Sequence, residues 1–230
     1  MDPVLPKQVS FSRNNNVHIL TEMIMKPILI ILFTATVGLT SANAQGSIVE
    51  SISFEGGTAY PYKPDSFHDY WNSGTSFGAN AAVPLYSRLD LVLTIDYTAL
   101  SFDPGRFFKK LKLDGNTITL NGGATSVVII SANLRFLMPW SGFFRHRVFV
   151  GGGILNSSVS KVTIEYPAAP VVKEAQTYRV LAIPVGSALE VSATNDIDLF
   201  VEYKYVFAST SEEITNTNYL DLRVGVAYKL

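Results

Sequence analysis

The sequence predicts an all-β chain: an eight-stranded antiparallel up-and-down transmembrane β-barrel. Three observations predict it. Apolar and polar residues alternate with period two in eight stretches. Short turns and long polar connections alternate between those stretches, and an export segment precedes them all.

The export segment starts at Met23 with a Lys-bearing opening, Met23-Ile24-Met25-Lys26-Pro27, followed by an apolar stretch from Ile28 to Leu39 and the small-residue exit Ala42-Asn43-Ala44 before Gln45. This is the order of a signal peptide, with cleavage expected after Ala44. As a spanning helix the apolar stretch falls short: a dozen residues at 1.5 Å each reach roughly 18 Å of a hydrocarbon core about 30 Å thick. Residues 1–22 are polar and irregular and are expected to lie, disordered, upstream of a true start at Met23 or Met25. Residues 23–44 are then the signal peptide, and 45–230 one domain.

Four stretches alternate cleanly. Leu89, Leu91, Leu93, Ile95 and Tyr97 oppose Asp90, Val92, Thr94, Asp96 and Thr98; Val128, Ile130, Ala132, Leu134 and Phe136 oppose Ile129, Ser131, Asn133 and Arg135. Ile197, Leu199, Val201, Tyr203, Tyr205 and Phe207 oppose Asp198, Glu202 and Lys204, with Phe200 breaking the rule. Leu220, Leu222, Val224, Val226, Tyr228 and Leu230 oppose Asp221, Arg223, Gly225, Ala227 and Lys229. Four weaker strands complete the set, over roughly Ile48 to Tyr60, Thr75 to Leu85, Arg147 to Ser158 and Thr177 to Ala193. Short turns are expected at Tyr86-Ser87-Arg88, Pro139 to His146 and Thr194-Asn195-Asp196. Long loops are expected at 61–74, 103–124, 159–176 and 208–218, as on the two rims of an outer-membrane barrel.

Alternation alone does not say which face is inside, because a soluble barrel turns the same apolar stripes inward. Three features place them outward, in lipid. The polar face carries Glu55, Asp90, Asp96, Arg135, Glu190, Glu202, Lys204 and Arg223 among small residues, which suits a narrow lumen of compensating charges. Aromatics gather at strand ends, with Tyr60, Tyr62, Tyr97, Phe102, Tyr205, Phe207 and Tyr219 toward one rim and Tyr86, Phe136, Trp140 and Tyr228 toward the other. The export signal supplies the route. Two residues strain the scheme. Pro184 falls inside the sixth strand and predicts a bulge or a lumen-facing irregularity, and Glu50, on the apolar side, has to lie near a rim.

Composition narrows the function classes. Net charge is −1 and charged residues make up 16%, so no basic field exists for nucleic acid. There is no cysteine for disulfides or thiolate metal sites, and neither a cofactor nor a metal is expected. Mean hydropathy is +0.22.

With the strands laid out, the chain from about Gln45 resembles the OmpA/OmpX-like family of small outer-membrane barrels. The resemblance rests on Val148-Phe149-Val150-Gly151-Gly152-Gly153, on Asp198-Leu199-Phe200-Val201-Glu202-Tyr203-Lys204-Tyr205, and on Tyr219 to Leu230. Within the last stretch, Arg223, Gly225, Tyr228 and Leu230 look like the C-terminal signal read by the barrel-assembly machinery, with Leu230 where family members usually carry Phe. The resemblance covers the barrel alone and not a peptidoglycan-binding domain.

Other candidate sites each have a plainer reading. His68 lies in Asp65-Ser66-Phe67-His68-Asp69-Tyr70-Trp71, where a Ser/His/Asp enzyme acting on lipid at the outer rim is conceivable but an ordinary aromatic loop fits better. His146, between Arg145 and Arg147, is expected in a turn, meeting headgroups or water. Phe107-Phe108-Lys109-Lys110 followed by Asp114-Gly115 predicts a two-stranded flap whose basic, aromatic start could touch lipopolysaccharide phosphates or a partner, although a solvated loop is the default reading. Gly151 to Gly153 lacks a following helix, so it reads as close lumen packing rather than a phosphate cradle.

The expectation is therefore a non-enzymatic integral outer-membrane barrel with a lumen closed by side chains, in contact with outer-membrane lipid, lipopolysaccharide and the assembly machinery, and meeting an unknown surface partner through its long loops. The alternatives are a lipid-modifying barrel enzyme using His68 and a secreted soluble barrel holding an apolar ligand.

Overall fold

Eleven strands and two short helices follow one another in a computed structural model that describes residues 48–111, 118–139, 144–165, 170–208 and 217–230. The strands are β1 Ser51–Lys63, β2 Gly74–Tyr86, β3 Leu89–Leu100, β4 Thr119–Gly122, β5 Thr125–Pro139, β6 Phe144–Val159, β7 Val162–Glu165, β8 Val171–Lys173, β9 Gln176–Ser192, β10 Ile197–Ala208 and β11 Asn218–Lys229. The helices are α1 Asp65–Tyr70, before β2, and α2 Pro104–Leu111, before β4. The export segment with Ala42 and Ala44, the Asp114-Gly115 turn and Trp140 lie outside the described residues.

The eight long strands close into one antiparallel barrel in the order β1-β2-β3-β5-β6-β9-β10-β11 and back to β1. Each sequence-predicted strand is present, with longer bounds in most cases. The four segments of clean alternation became β3, β5, β10 and β11, whose β-branched and aromatic side chains suit a pleated surface. Closure is made by β1 on β11, in register from Ser51 opposite Lys229 to Pro61 opposite Tyr219. Beyond the pairing, the Leu230 amide donates to the Glu50 carbonyl at 2.9 Å and the Glu50 amide to the Ala82 carbonyl at 2.8 Å. Glu50 is thus exposed at the short-turn rim, where the sequence required it.

The faces sort as the membrane reading demands. On β11, Leu222 and Val224 are 47% and 63% exposed, whereas Asp221 and Arg223 between them are wholly buried. The soluble alternative, with apolar stripes inward, is overturned by this ordering. Phe200, the exception in β10, faces the lumen opposite Gly225, and Phe149 likewise faces in opposite Gly186. A Cβ on either glycine would collide with the ring across from it, so each glycine makes room for an aromatic that fills the interior. Gly151 and Gly153 are close-packed in the same way, against Asn133 and the Ile130 carbonyl, while Gly152 has open space beside it. Pro184 is fully buried on the lumen side. Pairing of β6 with β9 lapses there, between Val150–Val185 and Gly153–Ala182, without a change of register. The predicted irregularity is real and involves no bulge.

Several expectations need correction. The turn expected over Pro139 to His146 is much shorter, since β5 runs to Pro139 and β6 begins at Phe144; Arg145 and His146 are strand residues. The flap is not a hairpin of the second loop: Phe107 to Lys110 lie on α2, and β4 pairs instead with β7 of the next long connection, which pairs with β8. Strands of three and four residues carry too little alternation to be seen in sequence. Tyr219 is fully buried and faces the lumen, and Phe102 packs among loop aromatics, so neither belongs to an outer girdle.

The packing of Phe200 onto Gly225 yields a test. Gly225→Val should destabilise the folded protein by about 1–3 kcal/mol through overpacking. Adding Phe200→Ala should restore part of that loss, as read from urea unfolding midpoints of the single and double variants.

Candidate functional site

The interior is layered, and each layer uses the inward positions of several strands. At mid-height, Arg223 of β11 reaches Glu55 of β1 at 2.6 Å, Asp221 at 2.5 Å and Asp96 of β3. Its Nε donates to Ser76 Oγ at 3.2 Å, and that hydroxyl donates to Asp221 at 2.6 Å. Lys204 of β10 sits 2.9 Å from Asp96, 3.6 Å from Glu202 and 3.7 Å from Glu55. Gly78 of β2 makes room for the group: a Cβ there would lie 2.6 Å from Arg223 Nη1 and 2.7 Å from Asp96. Charges this deep are tolerable only when paired.

Toward the short-turn rim a second cluster forms. Arg135 is bidentate on one Asp90 oxygen through Nε and Nη2, at 3.1 and 2.9 Å. Arg147 holds Glu190 at 2.7 Å; Arg145 bridges Glu190 at 2.6 Å and Asp198 at 2.5 Å; Lys229 adds 2.9 Å to Asp198. All eight predicted lumen charges face inward, then, but as two groups rather than one. Glu55, Asp96, Glu202, Lys204 and Arg223 form the first; Asp90, Arg135 and Glu190 join the second. Sequence reasoning missed Asp221 and Asp198, although both lay on the polar side of their strands, and missed Arg145 and Arg147 because the first was placed in a turn.

Toward the long-loop rim the lumen becomes apolar. Val127, Ile129, Leu155, Ala182, Val206 and Tyr219 pack together, and Phe67 of α1 seats on them. The residual space among the lumen side chains, between Asn80, Asn133, Arg147 and Glu190, is a cavity of ≈ 30 Å³. That is about the share of one water molecule in the liquid.

Above this plug the loops build a cap. Trp71 meets Phe67 at 5.5 Å and Phe102 at 5.0 Å between ring centroids, and its Nε1 donates to Thr125 Oγ1 at 2.9 Å and to the Gly123 carbonyl at 3.2 Å. Asp103 caps α2 by accepting from the Arg106 amide at 3.0 Å, a bond that holds its carboxyl below the usual carboxylate range. Lys110 of α2 pairs with Asp69 and lies over the Tyr70 ring.

His68 gains nothing from this arrangement. Its ring is 63% exposed and contacts Asp69 at 3.3 Å. Ser66 lies two residues away on the same helix, a spacing that does not bring side chains face to face, and among the described residues no hydrogen bond joins it to either. His146 is half-buried on the outer side of β6, between Met138 and Leu189 in the ladder, rather than in a turn. Among the described residues no group of three or more acidic and histidine side chains is placed to hold a metal. Of the C-terminal residues singled out, Arg223 and Gly225 face the lumen while Tyr228 and Leu230 face outward.

No protein-family model matches the chain, and no curated protein sequence matches it. Solved structures do. Neisserial surface protein A is 13% identical, with 78% of this chain and 96% of that one covered and a TM-score of 0.46. The attachment invasion locus protein Ail of Yersinia pestis is 11% identical, covering 79% and 99%, with a TM-score of 0.45. The N-terminal β-barrel domain of Pseudomonas aeruginosa OprF is 10% identical, covering 79% and 98%, with a TM-score of 0.42.

The mid-height cluster makes a quantitative prediction. Arg223→Met leaves the carboxylates of Glu55, Asp96 and Asp221 buried with too little positive charge, and should cost about 3–5 kcal/mol in urea unfolding of the refolded barrel. Arg145→Met should cost much less, because Glu190 and Asp198 keep Arg147 and Lys229 and the Arg145 side chain is 29% exposed.

Proposed function

We propose that this chain is an integral protein of a bacterial outer membrane, a non-enzymatic barrel that anchors a loop cap at the cell surface and carries no open pore. The observation that carries the reading is the inverted distribution of its side chains. Apolar residues such as Leu93, Ile130, Leu181, Val201 and Val224 are between 46% and 66% exposed around the barrel, while charged residues fill its interior. In water, such a surface would be one continuous apolar patch of a size monomeric soluble proteins avoid. In lipid it is the expected solution, since a closed ladder leaves no backbone group unpaired.

Dimensions support the same reading. The barrel strands are 12 to 17 residues long, where a tilted spanning strand needs about 9–11. Among the described residues no helix is long and apolar enough to cross a membrane. Exposed Tyr60, Tyr62, Tyr97 and Phe207 at the long-loop end, and Tyr86, Phe136 and Tyr228 at the other, suit the two headgroup regions. With short turns on the periplasmic side, the cap faces outward. Lipopolysaccharide and surface partners would meet it there, and the outward-facing Tyr228 and Leu230 would be read by the assembly machinery during insertion.

Three measurements check this. The membrane-fraction protein should migrate differently on an SDS gel before and after boiling. Val201→Arg, near mid-strand on the outer face, should destabilise the inserted barrel by about 2–4 kcal/mol. In planar bilayers the purified protein should give no steady conductance, because the lumen is filled at every level; large stable openings would refute the closed-lumen reading.

A further inference from the structure

Within the cap, between the β4-β7-β8 sheet and the aromatic cluster, lies a cavity of ≈ 310 Å³. Barrel closure makes no use of it. Leu120, Val162 and Ile164 form one wall, and Trp71, Phe102 and Phe107 the other. The volume corresponds to roughly ten water molecules at about 30 Å³ each, at the lower end of the range of small-molecule sites, about 300–1,000 Å³. Water would find few partners inside. The indole N–H of Trp71, which could have served a polar ligand, is already bonded to Thr125 and Gly123, so the ring offers the chamber only carbon.

Among the described residues the polar side chains of the lining are Ser160 and, along one stretch, Lys173, Glu174 and Gln176. Glu174 is paired with Lys161 at 3.6 Å. Lys173 is exposed and makes no ion pair among the described residues, which leaves one uncompensated positive charge beside an apolar chamber. We propose that this chamber binds the apolar tail of a single-chain amphiphile whose anionic head rests at Lys173. A cationic head would be repelled there, and a headless hydrocarbon would forgo the lysine. Behind the aromatic wall a second chamber of ≈ 240 Å³ shares Trp71, Phe102 and Phe107. Rotation of Phe107 would join the two and admit a longer tail. The site belongs to the cap, so its failure leaves the membrane reading intact.

Trp71 provides the readout. The chain has two tryptophans, and Trp140→Phe leaves Trp71 as the sole emitter. This variant of the full chain, in vesicles of zwitterionic lipid, is titrated with 10-bromodecanoic acid, whose terminal bromine quenches indole on contact. The expected result is saturable quenching. Lys173→Glu should raise the half-saturation concentration for the acid at least tenfold while leaving that for 10-bromodecanol within twofold. Val162→Phe with Ile164→Phe, or Val162→Phe alone should the pair shift the Trp71 emission maximum and so disturb the cap, places aromatic rings in the path of the tail and should raise the half-saturation concentration at least tenfold. Quenching that rises linearly, and equally with and without these substitutions, means partition into the bilayer only, and overturns the site. Saturable quenching indifferent to Lys173→Glu overturns the anionic head.

Discussion

Closure of β1 on β11 is the constraint from which the remaining architecture follows. A sheet in contact with lipid cannot present an open edge, because each unpaired amide or carbonyl costs several kcal/mol where no water can replace its partner. Here β1 is paired on one side to β2 and on the other to β11, so the barrel ladder has no end. A strand held on both sides has two faces left, and period-two alternation then sends every second side chain to lipid and the others to the interior. Once Leu222 and Val224 go out, Asp221 and Arg223 must go in.

That obligation explains the lumen. Eight strands enclose a space just wide enough for side chains, so whatever points inward must both fill the volume and satisfy its own polarity. Glycine and arginine solve the two halves of the problem together. Gly78 gives up its side chain where Arg223, Glu55 and Asp96 converge, and Gly225 and Gly186 give up theirs to Phe200 and Phe149. The arginine guanidinium, planar and rich in donors, can serve carboxylates on three strands at once. The fill and the charge pairing are therefore one design, and a change at Gly78 would be felt first by the ion cluster and only then by the wall.

This logic also sets what the sequence reveals. Period-two alternation exposed the eight barrel strands because each is long and half lipid-facing, and the polar half of each strand identified the lumen charges in advance. It even marked Pro184 as an irregular site and Glu50 as a rim residue. The cap was illegible for the complementary reason. Strands β4, β7 and β8 are three or four residues long, and β4 pairs with β7 of a different loop, while helix α1 is a turn and a half whose aromatic side is set by contact with Phe102 and the plug. Arg145 was lost because the Trp140-Ser141-Gly142 run reads as the middle of a longer turn. Tyr219 was misplaced because an aromatic near a strand end looks alike from either face, and only its position in register with Pro61 and Val206 turns it inward.

The layering of the lumen bears on where a function can reside. Charged side chains lock the middle and the short-turn end, while the long-loop end is plugged by Val127, Ile129, Leu155, Val206 and Tyr219 with Phe67 seated above. A solute crossing the barrel would have to displace an apolar plug with no polar partners to offer and then separate ion pairs that have no water to replace each other. The cavity among the lumen side chains, ≈ 30 Å³, is too small for a ligand, whereas the cap carries ≈ 310 Å³ beside a lysine that makes no ion pair among the described residues. The barrel's rigidity thus serves the loops: it fixes the ends of three long connections closely enough that strands from the second and third pair and aromatic rings from the first and second meet. Space for a small ligand then belongs to the cap, and the wall supplies its position.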